Sequence, residues 1–565
     1  MFDEPQLILH NANVLTLTGT SAAGKAQALA VRGNEIVAVG SDAEIVPLAG
    51  SRARKIDLHG RTVLPGFTDT HAHMDREGLR HAYPNLRDCR SIADVQAKIR
   101  ELAAGCAKGD WIVIEPFGTP PYHMDGASLL REGRYPDRFE LDAAAPDNPI
   151  WIRCIWGLWS HHPPYVHVLN TAALHVLHID AETPAPATTV TLERDERGLT
   201  GRILESFHWP AAEYTILRDA PRFTRAIRET GLKTALALSL AAGTTGTYEG
   251  HGVGREVVEV YKDLDDRGEL NVRAYLPVSL PPWSSLADFE RMLVEWFPLA
   301  RGRGFSNGRL AIGGIFLACG GFPEQAALYV EAWPYTGWAG FRDQYNSPEE
   351  YRELCRIAAK HRFRVNTVIS FAIDTVLTIW EEIHREYPID DLRWVLVHGQ
   401  MMNPERDFPR IKRLGAVMTT QPSSHLHRSG GSVVGDGNEN HLMPHRDMID
   451  DGIPWSLSTD NKPYQLIYTL WIAATRLAMG TDRIIGAQQR VSALEALRAL
   501  TRAGAYVCFD EARRGTLEPG KLADIIVLSG DPTALAPGEL KDLDVDLTIA
   551  DGIIVHDAQH LETYA

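Results

Sequence analysis

From Ser347 to Thr420 the chain alternates helix and strand with a regularity that few folds accommodate. Ser347-Pro348-Glu349-Glu350 is a capping box with proline at the first helical position, which predicts a helix to about Arg362. An apolar strand is expected over Phe363–Ser370 and a helix over Ile373–Arg385. A strand at Trp394–His398, a helix around Pro404–Leu414 and a strand at Ala416–Thr420 continue the series. A second capping box, Ser492 with Glu495, opens a later helix. Apolar strands joined by helical crossovers run parallel, and this many repeats point to an α/β chain with a closed (β/α)8 TIM-like barrel.

The two ends read differently. Leu7–Leu17 is followed by a hairpin, Gln27–Arg32 and Glu35–Val39, turning at Gly33-Asn34. Near the other end, Ala523–Leu528 is an apolar strand, and Asp546–Ala550 with Ile553–His556 flank the hairpin signal Asp551-Gly552. Residues 1–64 and 512–565 are therefore expected to build one small β-sandwich from both termini, with the barrel at 65–511. Between His73 and about Arg225 the alternation is lost in a stretch rich in proline and tryptophan. This stretch, 75–225, is too long for a plain strand-to-helix loop and is expected to be an inserted subdomain over the barrel mouth.

A chain of 565 residues exceeds one ordinary core, and 44% hydrophobic with 23% charged residues is a soluble globular composition. A net charge of −16 disfavours nucleic acid and anionic membranes as partners. Six scattered cysteines without a CxxC argue against a disulfide framework. The first residues lack a basic segment leading into an apolar stretch, and no apolar run is long enough to span a bilayer. A cytoplasmic enzyme acting on a small molecule, with self-association left open, is the expectation.

Chemistry concentrates where the apolar run Val63-Leu64-Pro65-Gly66-Phe67 leads into Thr68-Asp69-Thr70-His71-Ala72-His73. Side chains at i and i+2 of a strand share a face, so His71 and His73 can reach one ion. Neutral imidazole is the commonest side-chain ligand for divalent transition metals. Taken alone, the pair fits two hydrogen-bonded histidines at a strand end equally well. His398 ends an apolar strand and reads as a ligand or as a capped structural histidine. Asp460 follows Trp455–Ser458 and reads as a ligand or as a helix N-cap.

The segment from Val63 to Asp75 resembles the first barrel strand of the amidohydrolase superfamily. Leu199–Glu205, Asn170–Leu174, Val397–Gln400, Gln421-Pro422, Ser458–Asp460 and Gly515–Asp524 resemble, in order, the motifs of its family-3, YtcJ-like branch, which includes N-substituted formamide deformylases. The resemblance implies the barrel-plus-sandwich fold and a divalent metal, zinc or else Mn, Fe or Co, on His71, His73, His398 and Asp460. It implies hydrolysis of a C–N bond in an N-substituted amide, formamide or cyclic amide by metal-activated water, with Asp460 as general base and then acid.

The departures from that pattern weigh as much as the matches. Relatives carry a bridging lysine on strand 4 with an aspartate after it, and a histidine on strand 5; here Phe316, Cys319 and Asn366 stand at those places. One metal is therefore expected in place of two. Glu249 and His251, after the expected strand Thr244–Tyr248, are candidate replacement ligands, as are Cys319 and, less suitably, Asn366. His161 and His162 beside Trp159, and His425 and His427 after Gln421-Pro422, are candidate substrate contacts. Gly430–Gly437 lacks the Lys-Ser/Thr ending of a phosphate loop and reads as a lid. Trp151, Trp156, Trp159, Trp333 and Trp338 fit a pocket for a hydrophobic or aromatic substrate, or the insertion's own core. Rival functions are a mononuclear decarboxylase, C–C hydrolase or hydratase on the same fold, and a non-catalytic binding protein on a decayed barrel.

Overall fold

A computed structural model describes residues 4–561 except 20–23, 280–284, 297–307, 333–336, 340–344, 370–371, 431, 433 and 435–436. It divides into two compact units: Met1–Met74 with Ala235–Gly321 and Tyr345–Ala565, and Asp75–Thr234 with Phe322–Gln344.

The first unit contains an eight-stranded sheet whose neighbours follow chain order. Its strands are β1 (Phe67–Ala72), β2 (Thr244–Glu249), β3 (Arg273–Val278), β4 (Leu310–Phe316), β5 (Val365–Val368), β6 (Val395–Val397), β7 (Val417–Thr420) and β8 (Trp455–Leu457). Every adjacent pair from β1 to β8 is parallel. All residues of β1, β2, β3 and β4 are buried, as parallel strands covered on both faces must be. The expected barrel is present.

The helices between the strands start where their capping residues stand. Ser347 accepts a hydrogen bond from the Glu350 N–H at 3.2 Å, and the Glu350 carboxylate accepts from the Ser347 N–H at 2.8 Å, opening the helix Pro348–Lys360. That helix packs beside Ile373–Glu386 in the largest hydrophobic cluster, where the Trp380 indole donates to Tyr351 Oη at 2.8 Å and crosses Trp394 edge-to-face at 5.0 Å. The strands are shorter than the apolar runs predict. β6 stops at Val397 because His398 takes the left-handed backbone conformation, φ +59°, which a strand ladder cannot continue. The expected strand through Ser370 narrows to Val365–Val368, and Ser370 itself lies outside the described residues.

The termini build the two sheets of the sandwich. One orders Glu35–Gly40, Ala28–Arg32, Leu7–His10 and Arg54–Asp57; the other has six strands, with Ile525–Leu528 pairing antiparallel to Thr62–Pro65. Leu9, Val14, Leu29, Ile56, Val63, Ile525, Val527 and Leu547 form the apolar layer they share. Both hairpins expected from Gly33-Asn34 and Asp551-Gly552 form.

The second unit holds a five-stranded sheet in the order Val190–Asp195, Gly198–Glu205, Tyr165–Leu169, Ile150–Ile152 and Ile112–Ile114. It also takes in Phe322–Gln344, a segment whose sequence pattern gives no reason to part it from the barrel. Trp156, Trp159 and Trp338 are buried together with Leu79, Tyr165 and Phe223. The Arg76 and Arg80 guanidinium groups lie 4.1 Å over Trp156 and 3.9 Å over Trp159. These tryptophans are therefore the unit's own core, and Trp151 packs with Leu169 and Leu174 in a neighbouring cluster. Trp333 lies outside the described residues. No helix among the described residues is long and apolar enough to cross a membrane.

Ser347→Ala removes the acceptor for the Glu350 N–H and is expected to cost about 1 kcal/mol, read as a lower thermal midpoint that Ser347→Asp restores. An unchanged midpoint would show that the cap contributes nothing to this helix.

Candidate metal centre

The barrel's first and last strands meet through side chains and strand ends. Thr70 Oγ1 lies 2.7 Å from Ser456 Oγ and donates to the Leu457 carbonyl at 3.3 Å. On the other face of β1, the Asp69 carboxylate accepts from the Thr459 hydroxyl at 2.5 Å, the Thr459 N–H at 3.1 Å and the His71 N–H at 3.2 Å. Burial pushes the Asp69 carboxyl up to about 6, against the pull of those hydrogen bonds. Past β8 the backbone turns left-handed at Asp460 and Asn461, φ +50° and +51°. The Asp460 N–H then donates to the His71 carbonyl at 2.8 Å, and Asn461 Oδ1 accepts from the His73 N–H.

That turn brings the Asp460 carboxylate onto the two histidines. Asp460 Oδ1 lies 3.3 Å from His73 Nε2 and 3.7 Å from His71 Nε2, while Oδ2 accepts from Lys462 Nζ at 2.5 Å. His398, at the end of β6, stands with its ring centre 4.6 Å from that of His71. Ligand atoms of His71, His73 and Asp460 lie within 4.8 Å of one another, and so do those of His71, His251 and His398. Donors bound to zinc at roughly 2.0–2.1 Å in a tetrahedron stand about 3.3 Å apart, so these separations suit a common ion. His71 has both ring nitrogens buried without a hydrogen-bond partner among the described residues. Burial and the neighbouring His398 hold its pKa well below the usual imidazole value, so the ring is neutral and its lone pair available. Unbonded buried nitrogens are costly, and an ion at Nε2 would relieve that cost. The donor set fits a divalent cation.

Neighbouring groups set the tautomers. His398 Nδ1 is 2.8 Å from Gln421 Oε1, and the Gln421 amide is oriented by donating to Ser458 Oγ at 2.9 Å and Thr419 Oγ1 at 3.3 Å. The proton of His398 therefore sits on Nδ1, leaving Nε2 as the donor atom toward the cluster. His425 Nε2 approaches the same Nδ1 at 3.1 Å, and burial lowers the His425 pKa well below its usual value. Glu249 accepts from Tyr261 Oη at 2.7 Å and the Met74 N–H at 3.2 Å, with its second oxygen 3.9 Å from His73 Nδ1.

Other candidate residues stand elsewhere. Asn366 spends its amide on the barrel wall, accepting from Tyr248 Oη at 2.7 Å and donating to the Ile315 carbonyl at 3.2 Å. Cys319 is half-buried, its thiol pushed up by burial, and it joins no group of potential metal ligands among the described residues. His427 has both nitrogens engaged, Nδ1 with the Leu477 carbonyl at 2.6 Å and Nε2 with Tyr468 Oη at 2.7 Å. His161 and His162 are exposed in the second unit, where His161 ends the short helix Gly157–Ser160 with φ +51° and stacks on His208; Trp159 is core there. Part of Gly430–Gly437 lies outside the described residues.

One further group, Cys154, His167 and Glu205 in the second unit, was not singled out by spacing. His167 Nδ1 accepts from the Trp151 indole at 3.1 Å and the Cys154 N–H at 3.0 Å, so that lone pair is spent. Burial lowers His167 to about 3 and raises Cys154 and Glu205 well above their usual values. With His167 Nε2 3.3 Å from Glu205 Oε1 as well, both ring nitrogens are engaged and the cluster reads as structural.

The sequence model of the Amidohydrolase family matches residues 54–556. The chain belongs to that family. It is 28% identical to the N-substituted formamide deformylase of Arthrobacter pascens over 97% of this chain and 98% of that protein. Among solved structures it resembles an uncharacterized metal-dependent hydrolase from Pyrococcus furiosus, at 22% identity and TM-score 0.67 over 93% of this chain and 99% of that one. It also resembles zinc-complexed atrazine chlorohydrolase TrzN from Arthrobacter aurescens TC1, at 17% identity and TM-score 0.52 over 98% and 95%. These structural likenesses establish the fold.

Asp69→Asn in this amidohydrolase replaces a carboxylate that serves three donors across the barrel seam. It is expected to cost about 2–3 kcal/mol in chemical denaturation. An unchanged denaturation midpoint would show that the seam is held by other contacts.

Proposed function

We propose that this amidohydrolase is a metal-dependent enzyme that cleaves a carbon–nitrogen bond in a small N-substituted amide, formamide or cyclic amide. The convergence of His73, His398 and Asp460 on His71, with Asp460 Oδ1 3.3 Å from His73 Nε2 and 3.7 Å from His71 Nε2, is the supporting observation. These four residues would hold one divalent cation, with zinc the first choice and Mn, Fe or Co the alternatives. Once bound, such an ion supplies Lewis-acid polarisation of a carbonyl oxygen and acidifies water at neutral pH.

The chain's own groups account for the proton movements. The Lys462 ammonium on Asp460 Oδ2 favours the ionised carboxylate and leaves Oδ1 turned toward His71 and His73. Asp460 can take a proton from the attacking water as its oxygen bonds to the carbonyl carbon. The same proton then passes to the nitrogen as the C–N bond breaks, leaving an amine and a carboxylic acid that loses its remaining proton to solvent. Gln421 keeps the His398 ring in one tautomer and one orientation throughout. The formamide class is favoured by the likeness to the deformylase from Arthrobacter pascens. The buried tryptophans of the second unit lend no weight to an aromatic substrate.

Protein purified without chelator is expected to carry about one equivalent of metal by mass spectrometry, and His71→Ala/His73→Ala to carry none. Asp460→Asn should slow amine release from N-substituted formamides by about 10²–10⁴-fold. A metal-free wild type, or a double variant that keeps its metal, would contradict the proposed centre. Carbon dioxide released in place of amine would assign these residues to decarboxylation.

A further inference from the structure

We propose that His251 is a further ligand of the same cation, carried in by the loop after β2 and held in place by the ring of Phe316. This rests on the cation site of His71, His73, His398 and Asp460 proposed above. His251 Nε2 lies 3.4 Å from His398 Nε2, close enough for both nitrogens to bond one ion between them. Its ring centre is 5.2 Å from that of His71, 5.0 Å from His73 and 5.6 Å from His398, so it faces all three. Because His398 carries its proton on Nδ1 toward Gln421, the two facing Nε2 atoms can converge on an ion.

The loop is built to bring this imidazole close. The Gly250 N–H donates to the Ala72 carbonyl at the end of β1 at 2.7 Å, and the Val253 N–H donates to the Pro277 carbonyl of β3 at 2.9 Å. Ser279 then clamps the loop from β3, its N–H donating to the Val253 carbonyl at 3.0 Å and its hydroxyl to the Gly252 carbonyl at 2.5 Å. A Cβ at residue 250 would stand 2.3 Å from His71 Nε2, and one at residue 252 would stand 2.5 Å from the Phe316 Cβ. Only glycine on both sides of His251 allows so close an approach. Phe316 ends β4 and stacks its ring on the His251 imidazole, with centres 5.1 Å apart and planes 26° apart. A stacked aromatic face fixes the orientation of the imidazole. Asn366, at the start of β5, offers no competing donor because its amide is bonded to Tyr248 and the Ile315 carbonyl.

The test is Co²⁺ binding to chelator-stripped protein, measured by competition with a chromophoric chelator and by the visible spectrum of the bound ion. Wild type, His251→Ala, Phe316→Ala and His398→Ala are compared, with circular dichroism checking the fold of each stripped protein. His251→Ala is expected to bind Co²⁺ at least about ten-fold more weakly with an altered visible spectrum, and Phe316→Ala to weaken binding by about ten-fold. If His251→Ala does not fold, His251→Gln, which keeps bulk against Phe316, carries the same expectation. Wild-type affinity and spectrum in the His251 variant, with binding lost in His398→Ala, would overturn the His251 assignment alone. A wild type that binds no Co²⁺ would overturn the cation site beneath it.

Discussion

The seam between the first and eighth barrel strands is the constraint on which the rest depends. A barrel closes only if these two strands are held together, and here side chains supply much of the closure: Thr70 to Ser456, Asp69 to Thr459, Asn461 to the His73 backbone. The left-handed turn at Asp460 and Asn461 completes it. The same turn delivers the Asp460 carboxylate to His71 and His73. Closing the barrel and assembling the candidate metal centre are one structural event. A change that loosens the seam is thus a change in the centre, even when no ligand is touched.

Two buried clusters of similar residue types differ in their hydrogen-bond accounting. Around His167 both ring nitrogens meet partners and the Glu205 carboxyl is hydrogen-bonded as well, so the lone pairs an ion would need are engaged. Around His71 the opposite holds, because both ring nitrogens are buried and lack hydrogen bonds among the described residues while an aspartate and three other histidines crowd in. Unmet bonding capacity in a buried place calls for an explanation, and the ion proposed above supplies one.

Much of this was legible in the sequence where the deciding physics is local. The capping boxes at Ser347 and Ser492 start helices where the residue types say they must, and the i,i+2 spacing of His71 and His73 puts both rings on one face. His398 and Asp460 stand at strand ends because apolar runs stop there. What depends on distant partners was not legible. His427 and His398 both follow apolar strands, yet one is anchored to Leu477 and Tyr468 and the other is aimed into the cluster by Gln421. Spacing cannot tell them apart. The same holds for Asn366, whose partner Tyr248 lies on another strand, and for Phe322–Gln344, whose membership of the second unit is decided by tertiary packing.

A crystal of the metal-loaded protein, with anomalous diffraction collected at the absorption edge of the bound ion, tests the centre most directly. One anomalous peak between β1 and β8, within coordination distance of His71, His73, His398 and Asp460, is the predicted result. Two peaks, or a single peak away from the seam, would contradict a mononuclear centre built by barrel closure.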